Sequence, residues 1–87
     1  MSYEIYDHWV SFKFVVDGLE FLLVKSSVKK ITAVGDDTIK ISTGNCMGSI
    51  SFHVEDVIYP PNVNAEQLMN YLNFMITLNL LPPAGGA

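Results

Sequence analysis

A tight-turn signal near the N-terminus, Asp17-Gly18, constrains the fold of this chain more than any other local feature. It lies between two runs of β-branched and aromatic residues and suits a two-residue hairpin turn, in which both central residues need positive φ. With that turn, Val16 pairs with Leu19, and one face of the hairpin becomes continuously apolar. The further predicted pairs are Phe14 with Phe21 and Phe12 with Leu23.

Alternating apolar and polar residues predict more antiparallel strands along the chain. Residues 28–34 and 38–42 form a second hairpin, because apolar side chains alternate with polar ones and a short turn separates the two segments. Residues 49–54 give a fifth strand, and residues 3–8 are expected to add an edge strand. Tyr59-Pro60-Pro61 ends this region, because neither proline can donate to a sheet ladder.

One helix is predicted, over residues 65–80. Asn64 suits the N-cap, and Gln67 stands in the capping-box position three residues later. Glu66 places a negative charge at the positive end of the helix dipole. Pro82 and Pro83 are expected to stop the helix.

This helix is apolar over most of its circumference. Its polar residues recur at i, i+4, i+7 and i+11, which places them in one narrow stripe. Because one sheet covers only one side of a helix, the remaining apolar face needs a second cover, and we expect another copy of the chain to supply it. The stripe consists of Glu66, Asn70, Asn73 and Thr77, and the expected interface of Tyr71, Phe74, Met75, Leu78 and Leu81.

A monomeric alternative also accounts for the apolar helix. Residues 60–63 and the N-terminal segment, which carries Tyr3, Tyr6 and Trp9, could fold over the second face and complete a single core. The two interpretations differ in whether Tyr71, Phe74 and Leu78 are buried within one subunit.

The order of elements predicts an α+β fold, a small antiparallel β-meander or partly closed barrel of five to six strands with one C-terminal helix packed on it. A chain of 87 residues supports one hydrophobic core, so residues 1–81 are expected to form a single domain. Residues 82–87 are expected to form a flexible tail. The element order resembles that of pleckstrin-homology-like barrels, which also end in a helix, and that of many small viral and bacterial β-rich proteins.

Charge and composition argue against several partner classes. The net charge is −4 and arginine is absent, which disfavours nucleic acid because guanidinium groups are the usual phosphate and guanine ligands. No apolar run reaches the roughly 20 residues needed to span a bilayer, so no membrane partner is expected. The lone Cys46 cannot form an internal disulfide, and no export signal is recognised. The expected location is the cytoplasm, or an assembly such as a virion formed there.

The groups that could act as acid, base or metal ligand have no recognised spacing. His8 and His53 lie near acidic residues, but solvated histidines explain the pattern best. Cys46 has no base placed beside it by the sequence, and Asp36-Asp37 falls far short of the six to eight oxygens that calcium takes. The sequence therefore predicts no catalytic, cofactor-binding or metal-binding residue, and no enzyme.

The predicted function is that of a small non-enzymatic structural or interaction protein that self-associates through its C-terminal helix. A phage or other viral structural component, or a small accessory protein, would suit the size and the apolar surplus. The chain is expected to be a homo-oligomer, with a further protein partner as an option. The alternative is a monomeric pleckstrin-homology-like binding module with a groove for a peptide or an apolar ligand.

Overall fold

The computed structural model of the chain describes residues 1–44 and 48–80. Within them, seven strands form two sheets, and one helix follows. The predicted α+β class with a C-terminal helix is confirmed, although five to six strands were expected and the two sheets do not close into a barrel. The elements are β1 (Tyr3–His8), β2 (Ser11–Val16), β3 (Leu19–Val24), β4 (Val28–Val34), β5 (Thr38–Thr43), β6 (Ser49–His53), β7 (Val57–Tyr59) and α1 (Ala65–Leu80).

The first sheet has the strand order β3-β2-β1-β7. The predicted β2–β3 register is confirmed at every pair, and Asp17 and Gly18 adopt φ values of 50° and 86°, as the hairpin turn requires. The prediction that residues 3–8 form an edge strand is wrong in its position, because β1 lies between antiparallel β2 and parallel β7. The strand β7 itself was not predicted, since its partner lies more than 50 residues earlier in the chain.

The second sheet has the order β4-β5-β6 and is antiparallel throughout. Apart from the exposed Val34, its apolar residues point inward, as the alternation predicts, while its lysines, serines and His53 are mostly exposed. The inward residues join the first sheet in one core, whose members from this sheet include Ile31, Ile39, Ile41 and Phe52.

The chain passes between the two sheets at two corners, each a single 3₁₀ turn. The first corner, Lys25–Ser27, connects β3 to β4, and the second corner, Val54–Asp56, connects β6 to β7. At each corner the N–H of the following valine bonds to the carbonyl of the first corner residue. That first residue is buried at both corners, so the two corners direct one side chain each into the protein.

The helix begins as the sequence predicts. The backbone N–H of Asn64 donates to Oε1 of Gln67 at 3.0 Å, and the N–H of Gln67 donates to Oδ1 of Asn64 at 2.8 Å. This reciprocal pair is a capping box. The helix packs on β4, β5 and the first corner, and it buries Ala65, Leu68 and Leu72 completely or almost so. The prolines that were expected to stop it lie outside the described residues.

Candidate functional site

The C-terminal half of α1 carries the predicted interface. Phe74 is 56% exposed and Leu78 is 46% exposed, while Tyr71 and Met75 are half-buried. Because residues three and four apart lie side by side on a helix, these four side chains form one continuous strip. We call it the apolar helix face, defined by Tyr71, Phe74, Met75 and Leu78. Leu81, the fifth predicted interface residue, lies outside the described residues.

The polar stripe of the helix faces solvent, as the sequence predicts. Its four members are all exposed, whereas Leu68 and Leu72 on the opposite side are fully buried. Thr77 bonds back to the carbonyl of Asn73 at 3.0 Å, so its hydroxyl is satisfied within the helix. The apolar helix face therefore lies between the solvated stripe and the buried face of the helix. It differs from the stripe because it is apolar, and from the buried face because Phe74 and Leu78 are exposed.

An ion pair between a buried lysine and a partly exposed aspartate lies beneath this face. The side chain of Lys25 is only 2% exposed, and its Nζ donates to Oδ1 of Asp7 and to the backbone carbonyl of Met75, the latter at 3.2 Å. The same Nζ lies 5.1 Å from the centroid of the Phe12 ring. An unpaired buried ammonium would be strongly destabilising, so these contacts together make the position tenable. Lys25 thus joins β1, the first corner and α1.

A small pocket opens where the N-terminal residues meet the helix. It has a volume of about 140 Å³ and is lined by Asp7, Trp9, Lys25, Met75 and Leu78. Trp9 stands in the β1–β2 turn at a φ of 67° and is largely exposed. The N-terminal segment therefore reaches the edge of the apolar helix face without burying Leu78, which is less cover than the monomeric alternative requires.

Two tyrosines near this region have raised pKa values. Partial burial raises the pKa of the Tyr71 phenol, and the proximity of Asp7 and Tyr59 adds to the rise. The hydroxyl of Tyr6 donates to Glu4, and this bond is the main reason that the pKa of Tyr6 is raised. Both phenols are therefore neutral around pH 7 and act as hydrogen-bonding groups.

A second, larger cleft lies at the other end of the helix. It has a volume of about 470 Å³ and is formed between the β4–β5 turn and the first helical turns. Asp36 and Glu66 contribute carboxylates to its walls, and Met69 contributes the largest apolar side chain. The cleft is open and combines apolar surface with two acidic residues, so it differs in character from the apolar helix face.

The remaining candidate groups are scattered. His8 and His53 are both exposed, and Nδ1 of His53 lies 3.3 Å from the hydroxyl of Thr38. Asp36 and Asp37 are exposed in a turn, and Cys46 lies outside the described residues. Across residues 1–44 and 48–80, no three His, Cys, Asp or Glu side chains come together as a metal site would require. No helix in that part of the chain is both long and apolar enough to cross a bilayer.

The sequence did not indicate Lys25 as a site residue, and it associated Trp9 with the helix only through the monomeric alternative. A lysine at the end of a strand is normally solvated, so nothing in the local pattern marks Lys25 as buried. The turn that holds Trp9 is formed by Trp9 and Val10, which carry none of the usual hairpin-turn residues. The pairing of His8 with Ser11 places Trp9 and Val10 in a two-residue turn, but this pairing is visible only in the structure.

Comparisons of the chain with protein-family models, with curated proteins and with solved structures found no match in any of the three sets.

Proposed function

We propose that this chain is a small non-enzymatic interaction protein that self-associates through the apolar helix face. The observation that carries the proposal is the exposure of Phe74 and Leu78 on the same side of α1. Two large apolar side chains one helical turn apart make a contact ridge of the kind that packs against another helix. A phage or other viral structural component, or a small accessory protein, is the setting that we propose for it.

Three features next to the ridge support this function. Trp9 is exposed at its border, and tryptophan is among the residues most enriched at contact hot spots. Tyr71 is half-buried with a neutral phenol, so it offers both ring surface and a hydrogen bond. The hydrogen bond from Lys25 to the Met75 carbonyl fixes the helix against the first corner, which keeps the ridge in one position for a partner.

A single substitution in the ridge tests the proposal. Phe74→Glu and Leu78→Glu each place a carboxylate in the contact, and we expect a folded protein of lower oligomeric order in size-exclusion chromatography with light scattering. Asn73→Glu is the matched control, because it adds the same charge to the solvated stripe of the same helix. Its oligomeric order should equal that of the unmodified chain across the same concentration series.

Two results would contradict the proposal. One is an unchanged mass for both ridge variants. The other is loss of the far-ultraviolet circular dichroism signal in both, since unfolding would show that the ridge belongs to the core of one subunit. Circular dichroism of each variant therefore accompanies every mass measurement.

A monomeric binding module is the second candidate function. The observation that favours it is the cleft of about 470 Å³ at the helix N-terminus, because small-molecule and peptide sites usually measure about 300–1,000 Å³. Its carboxylates from Asp36 and Glu66 suit a peptide that carries lysine or arginine. A concentration-independent monomer whose Asp36 and Glu66 amide resonances shift with an added basic peptide would favour this candidate over self-association.

A further inference from the structure

The strand β3 presents a free sheet edge. Within the described residues its strand neighbour is β2 alone, and the six β2–β3 pairs run without a bulge. The N–H of Lys25 donates to the carbonyl of Val10 at 2.9 Å, which extends the ladder by one pair. Backbone bonding in an antiparallel ladder alternates, so Glu20, Leu22 and Val24 direct their N–H and C=O groups toward the free edge.

One of these outward groups is already satisfied by the chain itself. The hydroxyl of Ser27 donates to the carbonyl of Val24 at 2.7 Å, which closes the edge at the corner. Glu20 and Leu22 remain, and each presents one donor and one acceptor. The open stretch of backbone is therefore short and is centred on Phe21.

The side chains along this edge are mostly apolar and exposed. Leu19 is 76% exposed and Leu22 is 57% exposed, and Phe21 and Val24 are exposed as well. Natural sheet edges are usually blunted by lysine, proline, bulges or very short strands. Two of the other three described edges follow that rule, because β4 carries Lys29 and Lys30 and β7 has three residues followed by proline. The third edge, β6, has a polar outer face formed by Ser49, Ser51 and His53. Only the charge of Glu20 interrupts β3, and Lys13 pairs with it at 3.5 Å.

We propose that a second copy of this chain pairs with β3 antiparallel, on a two-fold axis through Phe21. In this register Glu20 lies opposite Leu22 of the second copy, and Leu22 lies opposite its Glu20. The two open donors and two open acceptors of each edge then meet reciprocally, and the carbonyl of Val24 keeps its bond to Ser27. The proposal adds a contact that is separate from the apolar helix face and does not depend on it.

The side chains and charges of this register suit a second copy better than an unrelated strand. Phe21 faces its own equivalent across the axis, which is a favourable aromatic cross-strand pair. On the outer face, one row consists of Lys13 and Leu22 from one copy followed by Glu20 from the second copy. The two Glu20 carboxylates therefore lie between the two Lys13 ammonium groups. A parallel arrangement in register would instead place the two Glu20 side chains directly side by side, where like charges repel.

Disulfide trapping tests the register. In a Cys46→Ser background, Phe21→Cys places two thiols at a non-hydrogen-bonded pair, whose Cα separation of about 4.5 Å falls within disulfide range. We expect Phe21→Cys to form a covalent dimer under mild oxidation at least tenfold faster than Leu22→Cys or Val34→Cys. Leu22→Cys tests the neighbouring register, and Val34→Cys tests an exposed strand position on the other sheet. Faster cross-linking of Leu22→Cys, or equal rates for all three, would overturn the proposal.

Charge repulsion at the edge gives a second, independent test. Leu22→Glu places a carboxylate directly opposite Glu20 of the second copy, whereas within its own subunit it lies beside Lys13. Val34→Glu makes the same change on β4 as a control. We expect Leu22→Glu to halve the assembly mass and Val34→Glu to leave it unchanged. The combined variant Leu22→Glu/Phe74→Glu should be monomeric. If Leu22→Glu has no effect while Phe74→Glu lowers the mass, the edge contact is refuted and the helix contact stands, and the reverse result refutes the helix contact alone.

Discussion

The chain turns between its two sheets twice, and it uses nearly the same backbone both times. Each corner follows a strand residue in extended conformation, makes one 3₁₀ turn and closes with a bond from a valine N–H to the first corner carbonyl. The residue that points inward differs completely, being Lys25 at the first corner and Val54 at the second. Backbone geometry therefore selects which position is buried, and the surroundings decide which chemistry that position tolerates.

The surroundings of the two corners explain the difference. Val54 enters the apolar core and needs only packing. Lys25 enters beneath α1, where Asp7 supplies a carboxylate and Met75 a backbone carbonyl. A buried charge is stable only with such partners. The first corner therefore depends on groups from α1 and β1, whereas the second corner needs no polar partner.

The largest effect should come from giving the second corner the residue of the first. Val54→Lys would place an ammonium in the apolar core around Val54, and we expect the free energy of unfolding to fall by about 4 kcal/mol. Urea denaturation followed by circular dichroism, at one fixed protein concentration, measures the change. A loss below about 1 kcal/mol would mean that this corner accommodates a charge as readily as the first.

Removal of the carboxylate at the first corner should have the next largest effect. Asp7→Ala leaves the Lys25 ammonium buried without its charged partner, and we expect a loss of about 3 kcal/mol. This figure is at the lower end for broken buried pairs, because the Asp7 side chain is 37% exposed and water can approach it. A variant as stable as the unmodified chain would show that the Met75 carbonyl and the Phe12 ring are sufficient for the cation.

Replacement of the cation should cost little. Lys25→Met fills a similar volume without a charge, and Asp7 can then be hydrated, so we expect stability within about 1 kcal/mol of the unmodified chain. The double variant Asp7→Ala/Lys25→Met should be more stable than Asp7→Ala alone, since the stranded charge is gone. If the second substitution lowers stability further, the two residues do not act as a pair.

The smallest effect concerns alkaline pH. The pKa of Tyr71 is raised in the folded protein, so the contribution of this phenol to stability is present below about pH 10 and is lost as the pH rises through the folded value. We expect Tyr71→Phe to reduce the fall in Tm between pH 9 and pH 11. An identical fall in Tm for both proteins would show that neither Tyr71 nor its interaction with Asp7, the partner of Lys25, contributes to the alkaline response.

The parts of the fold that local chemistry determines could be predicted from the sequence. The Asp17-Gly18 turn fixed the β2–β3 register, and Asn64 with Gln67 located the start of the helix. The exposure of Phe74 and Leu78 follows from the narrowness of the polar stripe. These features depend on neighbours within a few residues, which periodicity and capping rules describe well.

Long-range pairing could not be predicted in the same way. The parallel contact of β1 with β7 joins segments more than 50 residues apart, and a three-residue strand has too little alternation to signal its partner. The burial of Lys25 depends on where Asp7 and Met75 meet it in space. The open edge of β3 likewise becomes visible only once the strand order is known.

The bond from Lys25 to the Met75 carbonyl also sets where the helix stands along its own axis. A shift of α1 along its axis by half a turn, about 2.7 Å, would carry that carbonyl out of hydrogen-bonding distance of Nζ. The cation thus acts as a stop against sliding, while rotation about the contact is less restricted. Phe74 and Leu78 consequently keep one position along the helix axis relative to the two sheets.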